Sequence, residues 1–79
     1  MSKRERIRQL LQTVSKNPGA IQGDEDSLFE SGALDSFTLT DLVAEVETAF
    51  AIQVPDSDLT PRKFDSVARI EAYLESRGV

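Results

Sequence analysis

Residues 36–50 read SFTLTDLVAEVETAF, and this stretch carries the strongest periodic signal in the 79-residue chain. Its apolar side chains recur at the spacing i, i+3, i+4, i+7, i+10, i+11, at Leu39, Leu42, Val43, Val46, Ala49 and Phe50. That spacing follows the turn of an α-helix and places the apolar side chains on one face. The stretch therefore predicts an amphipathic helix over 36–50 whose apolar face is buried.

Two further segments have the same helical spacing. The first covers about 3–16, and its apolar positions are Ile7, Leu10, Leu11 and Val14. The second covers about 66–76, and its apolar positions are Val67, Ile70, Tyr73 and Leu74. An Asn-Pro-Gly sequence at 17–19 is expected to end the first helix. Asp65 or Ser66 is expected to cap the second helix, and Gly78 to end it.

The segments between these helices complete the predicted architecture. Pro55 can open a short helix over about 56–60, and Pro61 disfavours its continuation. Residues 17–35 lack a sustained period and are expected to form a long ordered loop, which in a compact domain is uncommon and often functional. The sequence thus predicts one all-α domain over 1–79, a small four-helix bundle with three main helices and one short helix.

Composition excludes several function classes. The chain has no Cys and no His, so it has no disulfide, no thiolate metal site, no cysteine nucleophile and no Ser-His pair. Asp24 and Asp26 begin like a calcium loop, but Leu28 and Phe29 stand where a ligand and a glycine are needed, so no metal site is expected. No apolar run approaches the roughly 20 residues of a membrane span. The Arg-rich start lacks the apolar segment of a signal peptide, so none is expected. We expect a cytoplasmic protein that is not an enzyme.

Charge is distributed unevenly along the chain. The net charge is −5, yet residues 17–61 contain ten acidic residues and no Lys or Arg. Such a stretch repels phosphate backbones, so nucleic acid is not an expected partner. Two interpretations stay open: a solvated acidic face that keeps the protein soluble, or a docking surface for basic partners.

The dipeptide Asp-Ser occurs four times, with its serine at Ser27, Ser36, Ser57 and Ser66. Helix capping explains such a dipeptide without any further function. Ser36 differs in its context, because it opens the longest predicted helix at the end of the long loop. On a helical wheel Ser36 lies at the edge of the apolar stripe, whereas Phe37, Asp41, Ala44 and Thr48 lie opposite it. The pattern predicts an exposed aromatic ring beside an accessible hydroxyl.

The segment LFESGALDSF at 28–37 resembles the attachment motif of phosphopantetheine carrier proteins, the acyl, peptidyl and aminoacyl carriers. That motif is a glycine followed, after a few residues, by Asp-Ser and then Leu or Phe, and here it is supplied by Gly32, Asp35, Ser36 and Phe37. Further similar segments are LVAEVETAF at 42–50, IQVP at 52–55, DLTP at 58–61 and FDSV at 64–67. The family fold is a four-helix bundle with a short third helix, as the periodicity also predicts.

The resemblance implies that a phosphopantetheinyl transferase moves 4′-phosphopantetheine from coenzyme A onto Ser36 Oγ. The cargo is then held as a thioester, and the carrier is a monomeric shuttle between an adenylating acyl or aminoacyl ligase or acyltransferase and downstream biosynthetic enzymes. The phosphodiester would face free N–H groups at the start of the helix. The implied partner face consists of Phe37, Asp41, Ala44, Glu45, Glu47 and Thr48.

Two features point away from a housekeeping fatty-acid carrier. Thr38, Thr48 and Ala49 stand where such carriers often have acids, and the first helix is basic. Phe37 and the Asp-Leu-Thr-Pro segment favour a specialised acyl or aminoacyl carrier, in lipid or secondary-metabolite biosynthesis. The alternative is a non-covalent helical interaction module in which Ser36 is only a helix cap.

Overall fold

A computed structural model describes residues 2–79 of the chain. The three α-helices are α1 (Lys3–Val14), α2 (Ser36–Phe50) and α3 (Val67–Ser76). Three 3₁₀ turns accompany them, at Pro18–Ala20, Asp56–Asp58 and Pro61–Phe64. The described residues form no β-strand. The predicted fold class, a small all-helical bundle of the acyl carrier type, is therefore confirmed.

The elements differ from the sequence prediction at their ends. Helix α1 ends at Val14 because Ser15 takes an extended conformation, with φ −67° and ψ 136°. The short fourth helix is a single 3₁₀ turn, since Thr60 is extended before Pro61, with φ −120° and ψ 143°. A further turn, Pro61–Phe64, follows it and was not predicted from the sequence.

The core lies where the three helices meet, and α1 packs against both α2 and α3. Its largest fully buried side chains come from all three helices, the loop and the last turn: Ile7, Leu11, Leu28, Leu42, Val46, Phe64, Val67, Ile70 and Leu74. The loop also buries Ala33 and Leu34, just before α2 begins. The long loop is thus anchored in the core. None of the helices within residues 2–79 is both long and apolar enough to cross a membrane.

Two arginines of α1 form ion pairs with the loop. Arg4 Nη1 donates to Asp24 Oδ2 at 2.8 Å, and Arg8 Nη2 donates to Asp24 Oδ1 at 2.6 Å. The carbonyl oxygen of Asp24 also accepts from the backbone N–H of Ala68, at 2.9 Å. Hydrogen bonds from the two arginines lower the pKa of Asp24. One acid of the acidic stretch therefore joins the loop to α1 and α3.

The end of α3 has the geometry that the glycine predicts. Gly78 has a φ of +80°, and its N–H donates to the carbonyl oxygen of Glu75 at 3.0 Å. The N–H of Val79 then donates to the carbonyl oxygen of Leu74 at 3.1 Å. These two bonds form a Schellman motif, in which a glycine reaches the left-handed conformation without strain.

Candidate functional site

Ser36 is the first residue of α2 and is exposed. Its Oγ makes no hydrogen bond to any residue in the range 2–79. The other serines of the Asp-Ser pairs differ: Ser27 Oγ donates to Asp65 Oδ1 at 2.7 Å, and the buried Ser66 caps α3. Ser57 is exposed but lies in a 3₁₀ turn. Among these four serines, only Ser36 combines an exposed hydroxyl with the start of a long helix.

Asp35 caps α2 through a capping box with Thr38. Asp35 Oδ1 accepts from the N–H groups of Phe37 and Thr38, at 2.9 and 2.8 Å, while Thr38 Oγ1 accepts from the N–H of Asp35 at 2.7 Å. The bond from the Thr38 N–H is the main reason why the pKa of Asp35 is lowered. The expectation of several free N–H groups is therefore wrong. Among the described residues only the N–H of Ser36 lacks a partner in this first turn.

The end of α1 holds the loop that leads into Ser36. Ser15 is buried, and its Oγ donates to the carbonyl oxygen of Ala33 at 2.6 Å and accepts from the N–H of Asn17 at 3.1 Å. Gly32 has a φ of +84°, a backbone conformation that residues with a Cβ atom rarely adopt. Gly32 thus allows the chain to turn before α2, and the hydrogen bond from Ser15 to the next residue, Ala33, holds this turn in place. The charge of Lys16, the next residue, helps to lower the pKa of Asp35.

The partner face implied by the resemblance is exposed on α2, with one exception. The Phe37 side chain is 78% exposed, and Asp41, Ala44, Glu45 and Thr48 are exposed with it. Glu47 is half-buried instead, because its Oε2 accepts from the N–H of Val54 at 2.7 Å. Glu47 therefore ties α2 to the extended chain that follows it and is poorly placed for a partner.

The residues around Ser36 fit a covalently attached phosphodiester. The hydroxyl is accessible, its own N–H is free, and the N-terminal end of a 15-residue helix favours negative charge. Lys16 adds a positive charge on the same side as Asp35. The Asp35 carboxylate opposes a second anion, but its two N–H donors offset part of that repulsion.

Two supporting residues were missed in the sequence. Thr38 was assigned to no role, although its position three residues after Asp35 is the spacing of a capping box. Ser15 was treated as part of a helix, and nothing in the local sequence indicates that its hydroxyl reaches Ala33, 18 residues away. The contact of Thr38 with Asp35 has a signal in the local sequence, the capping-box spacing. The contact of Ser15 with Ala33 depends on the packing of α1 against the loop.

Comparison with known proteins gives a consistent result. A family model described as "Phosphopantetheine attachment site" matches residues 5–74. The chain is 32% identical over 76 residues to a D-alanyl carrier protein of Leuconostoc citreum, covering 96% of each chain. It is 33% identical over 76 residues to one of Enterococcus faecalis, covering 96% of this chain and 97% of that one. One of Lactococcus lactis is 30% identical over 74 residues, 94% of each chain. No solved structure matches the chain.

Proposed function

The chain belongs to the phosphopantetheine attachment-site family, and on that premise we propose that Ser36 Oγ is the atom that carries its 4′-phosphopantetheine. The observation that supports this proposal is the exposed, unbonded hydroxyl of Ser36 at the start of α2. Gly32, Asp35 and Phe37 complete the motif around it.

The predicted carrier role is confirmed. The protein is a carrier that holds acyl or aminoacyl groups as thioesters on 4′-phosphopantetheine, and it is a substrate of its partner enzymes rather than an enzyme. The non-covalent interaction module is not favoured. When bound, the group supplies the thiol that the cysteine-free chain lacks.

Attachment requires a base to accept the proton of the Ser36 hydroxyl. The chain has no His, and Asp35 is a weak base because two N–H donors lower its pKa. We infer that the base is supplied by the phosphopantetheinyl transferase. In this scheme Asp35 fixes the first turn of α2 and leaves Ser36 Oγ pointing to the incoming enzyme.

The test of the attachment site uses a matched pair of serines. The full chain is incubated with coenzyme A and a promiscuous transferase, and its intact mass is measured. Ser57→Ala removes the other exposed serine that follows an aspartate and should gain one phosphopantetheine, like the wild type. Ser36→Ala should gain none. Equal labelling of both variants would refute the proposal.

We propose that transferase and ligase dock on the α2 face formed by Phe37, Asp41, Ala44, Glu45 and Thr48. A large exposed ring next to two carboxylates suits a partner with an apolar pocket and a basic rim. Asp41→Lys should lower the kcat/KM of the transferase by roughly tenfold, mainly through KM, at low salt. Glu30→Lys reverses an exposed charge in the loop and should have little effect; an equal loss with both variants would contradict a face on α2.

The cargo proposed is D-alanine or another small amino acid, activated by an adenylating ligase. The relatives named D-alanyl carrier proteins support this cargo, and they match almost the whole chain. The phosphopantetheine form is offered to adenylating ligases with D-alanine, L-alanine and a fatty acid, and the thioester is detected by mass. Loading by a fatty-acid ligase alone would reject an aminoacyl cargo. We also propose that the chain acts as one domain over 1–79, as a monomer in the cytoplasm.

A further inference from the structure

We propose that a second docking surface, separate from α2, binds a carboxylate of an acidic partner protein. It is a cleft of about 320 Å³ between the last 3₁₀ turn and α3, lined by Arg62, Lys63, Arg69, Ala72 and Tyr73. We call it the basic cleft. Three cationic side chains surround an apolar floor made by Ala72 and the ring of Tyr73. The inference does not depend on attachment at Ser36.

The arginines of the basic cleft differ from the other arginines of the chain. Arg4, Arg8 and Arg77 each form an ion pair with a carboxylate. Arg6 lies 4.6 Å over the ring of Phe50 and donates to the carbonyl oxygen of Ala49.

Arg62 and Arg69 pair with no carboxylate and lie over no aromatic ring among residues 2–79, and both are exposed. Arg69 Nη1 donates to the carbonyl oxygen of Arg62 at 3.4 Å, so the Arg69 side chain lies beside the backbone of Arg62. Two guanidinium groups without carboxylate partners at one cleft form a strong anion-binding arrangement.

The wall of the basic cleft already binds one carboxylate within the chain. Lys63 Nζ donates to Asp58 Oδ1 at 3.0 Å, and the hydroxyl of Tyr73 donates to Asp58 Oδ2 at 2.9 Å. Asp58 therefore shows that Lys63 and Tyr73 bind a carboxylate at the edge of the cleft. Arg62 and Arg69 offer the same chemistry to a carboxylate from outside, and the apolar floor suits the methylene groups of a glutamate.

The charge of the remaining chain favours a protein over an extended polyanion. Residues 17–61 carry ten acids and no base, and the net charge is −5. A membrane surface or a nucleic acid would bring its phosphates close to these acids and be repelled. An acidic loop of a folded protein is small enough to enter the basic cleft without approaching those acids. Because α2 contributes no residue to the cleft, the chain presents a basic surface as well as the acidic α2 face.

The test is an NMR titration of the ¹⁵N-labelled full chain at low salt. The probe is a short blocked peptide with two glutamates, and a peptide with glutamines in their place is the control. We expect shifts of amides in 62–73 with the glutamate peptide only. Arg62→Gln combined with Arg69→Gln should weaken binding by roughly tenfold or more, since both charge-assisted donors are lost. Asp41→Asn combined with Glu45→Gln, on α2, removes two acids and should not weaken binding of the peptide.

Three outcomes would overturn the inference. The first is an absence of shifts in 62–73, and the second is an equal affinity of the double arginine variant. The third is a stronger response of the same amides to inorganic phosphate or to phosphatidylglycerol vesicles than to the peptide, which would assign the cleft to a phosphate ligand. Both double variants change exposed side chains, and their amide spectra also report whether the fold is retained.

Discussion

At the scale of single residues, the hydroxyl of Thr38 supports the start of α2 from inside the protein. Thr38 is 2% exposed, and its Oγ1 accepts from the N–H of Asp35, one of the donors that no helical carbonyl can satisfy. The same residue donates its own N–H to the Asp35 carboxylate. These two hydrogen bonds join the residues before and after Ser36, and together they fix its position.

Thr38→Val should lower the free energy of unfolding by about 1 kcal/mol, because the N–H of Asp35 loses its acceptor while the side-chain volume is kept. Thr40→Val is the matched control in the same helix. Thr40 is exposed and its hydroxyl donates to the carbonyl of Ser36 at 3.4 Å, so its loss should cost less than about 0.5 kcal/mol. Urea unfolding measures both values. Equal losses would show that the capping box is not a special contact.

Much of this site could be predicted at the residue scale. The glycine, the Asp-Ser pair and the aromatic residue lie within six positions, so the local sequence contains the motif. The wheel also placed Phe37 in solvent, where it is 78% exposed. Glu47 is assigned to the partner face by the family resemblance, which gives no information on contacts of this residue outside the helix. The chain that returns beside α2 and offers the N–H of Val54 is a tertiary contact that the wheel omits.

At the scale of elements, α2 ends at an unusual residue. Ala51 has a φ of 55° and a ψ of 46°, the left-handed conformation that glycine adopts with least strain. Its N–H donates to the carbonyl of Glu47, as does that of Ile52 at 3.2 Å. The chain turns there so that Ile52 and Val54 can pack on the core.

Ala51→Gly should therefore raise the free energy of unfolding by up to about 1 kcal/mol, since the strain of the left-handed Cβ is removed. Ala44→Gly is the control, because Ala44 is exposed in the middle of the same helix. It should lower the free energy of unfolding by about 1 kcal/mol. Thermal or urea unfolding distinguishes the two signs. A loss with Ala51→Gly would contradict the strain at this position.

The helices could be predicted because apolar residues recur at helical spacing in each of them, and these residues are buried or half-buried in the structure. The ends were harder, since they depend on contacts with other elements: α1 stops where Ser15 turns towards Ala33. The pairing of the loop with α1 could not be derived either. Charge counts along the sequence do not reveal which arginine meets which aspartate.

At the scale of the whole molecule, the acidic stretch is joined to the basic ends of the chain by two carboxylates. Asp24 pairs with Arg4 and Arg8, and Asp58 pairs with Lys63 and Arg77. Hydrogen bonds from Arg8 and Arg4 lower the pKa of Asp24, and hydrogen bonds from Lys63 and Tyr73 lower the pKa of Asp58. The cap has the same effect on Asp35. Asp24, Asp35 and Asp58 therefore stabilise the fold through these contacts.

The lowered pKa values predict a loss of stability in acid. A carboxyl group whose pKa is lower in the folded than in the unfolded chain stabilises the fold above its unfolded pKa, about 3.9 for an aspartate. That stabilisation is lost as the pH falls through the folded pKa. The free energy of unfolding should therefore decrease below about pH 4, and Asp58→Asn should reduce this decrease.

Asp56→Asn is the control for that measurement. Asp56 is exposed and its carboxylate makes no hydrogen bond within residues 2–79. Its variant should follow the pH dependence of the wild type. If Asp58→Asn and Asp56→Asn both retained the full acid dependence, the contacts of Asp58 would not be the cause.

The position of the modification tests the central claim most directly. Cleavage after Glu30 and Glu45 releases a peptide over 31–45, whose two serines are Ser31 and Ser36. After reaction of the wild-type chain with coenzyme A and a transferase, fragmentation of this peptide locates the added phosphopantetheine. We predict that all of the added mass lies on Ser36. Added mass on Ser31, or on any peptide outside 31–45, would contradict the account.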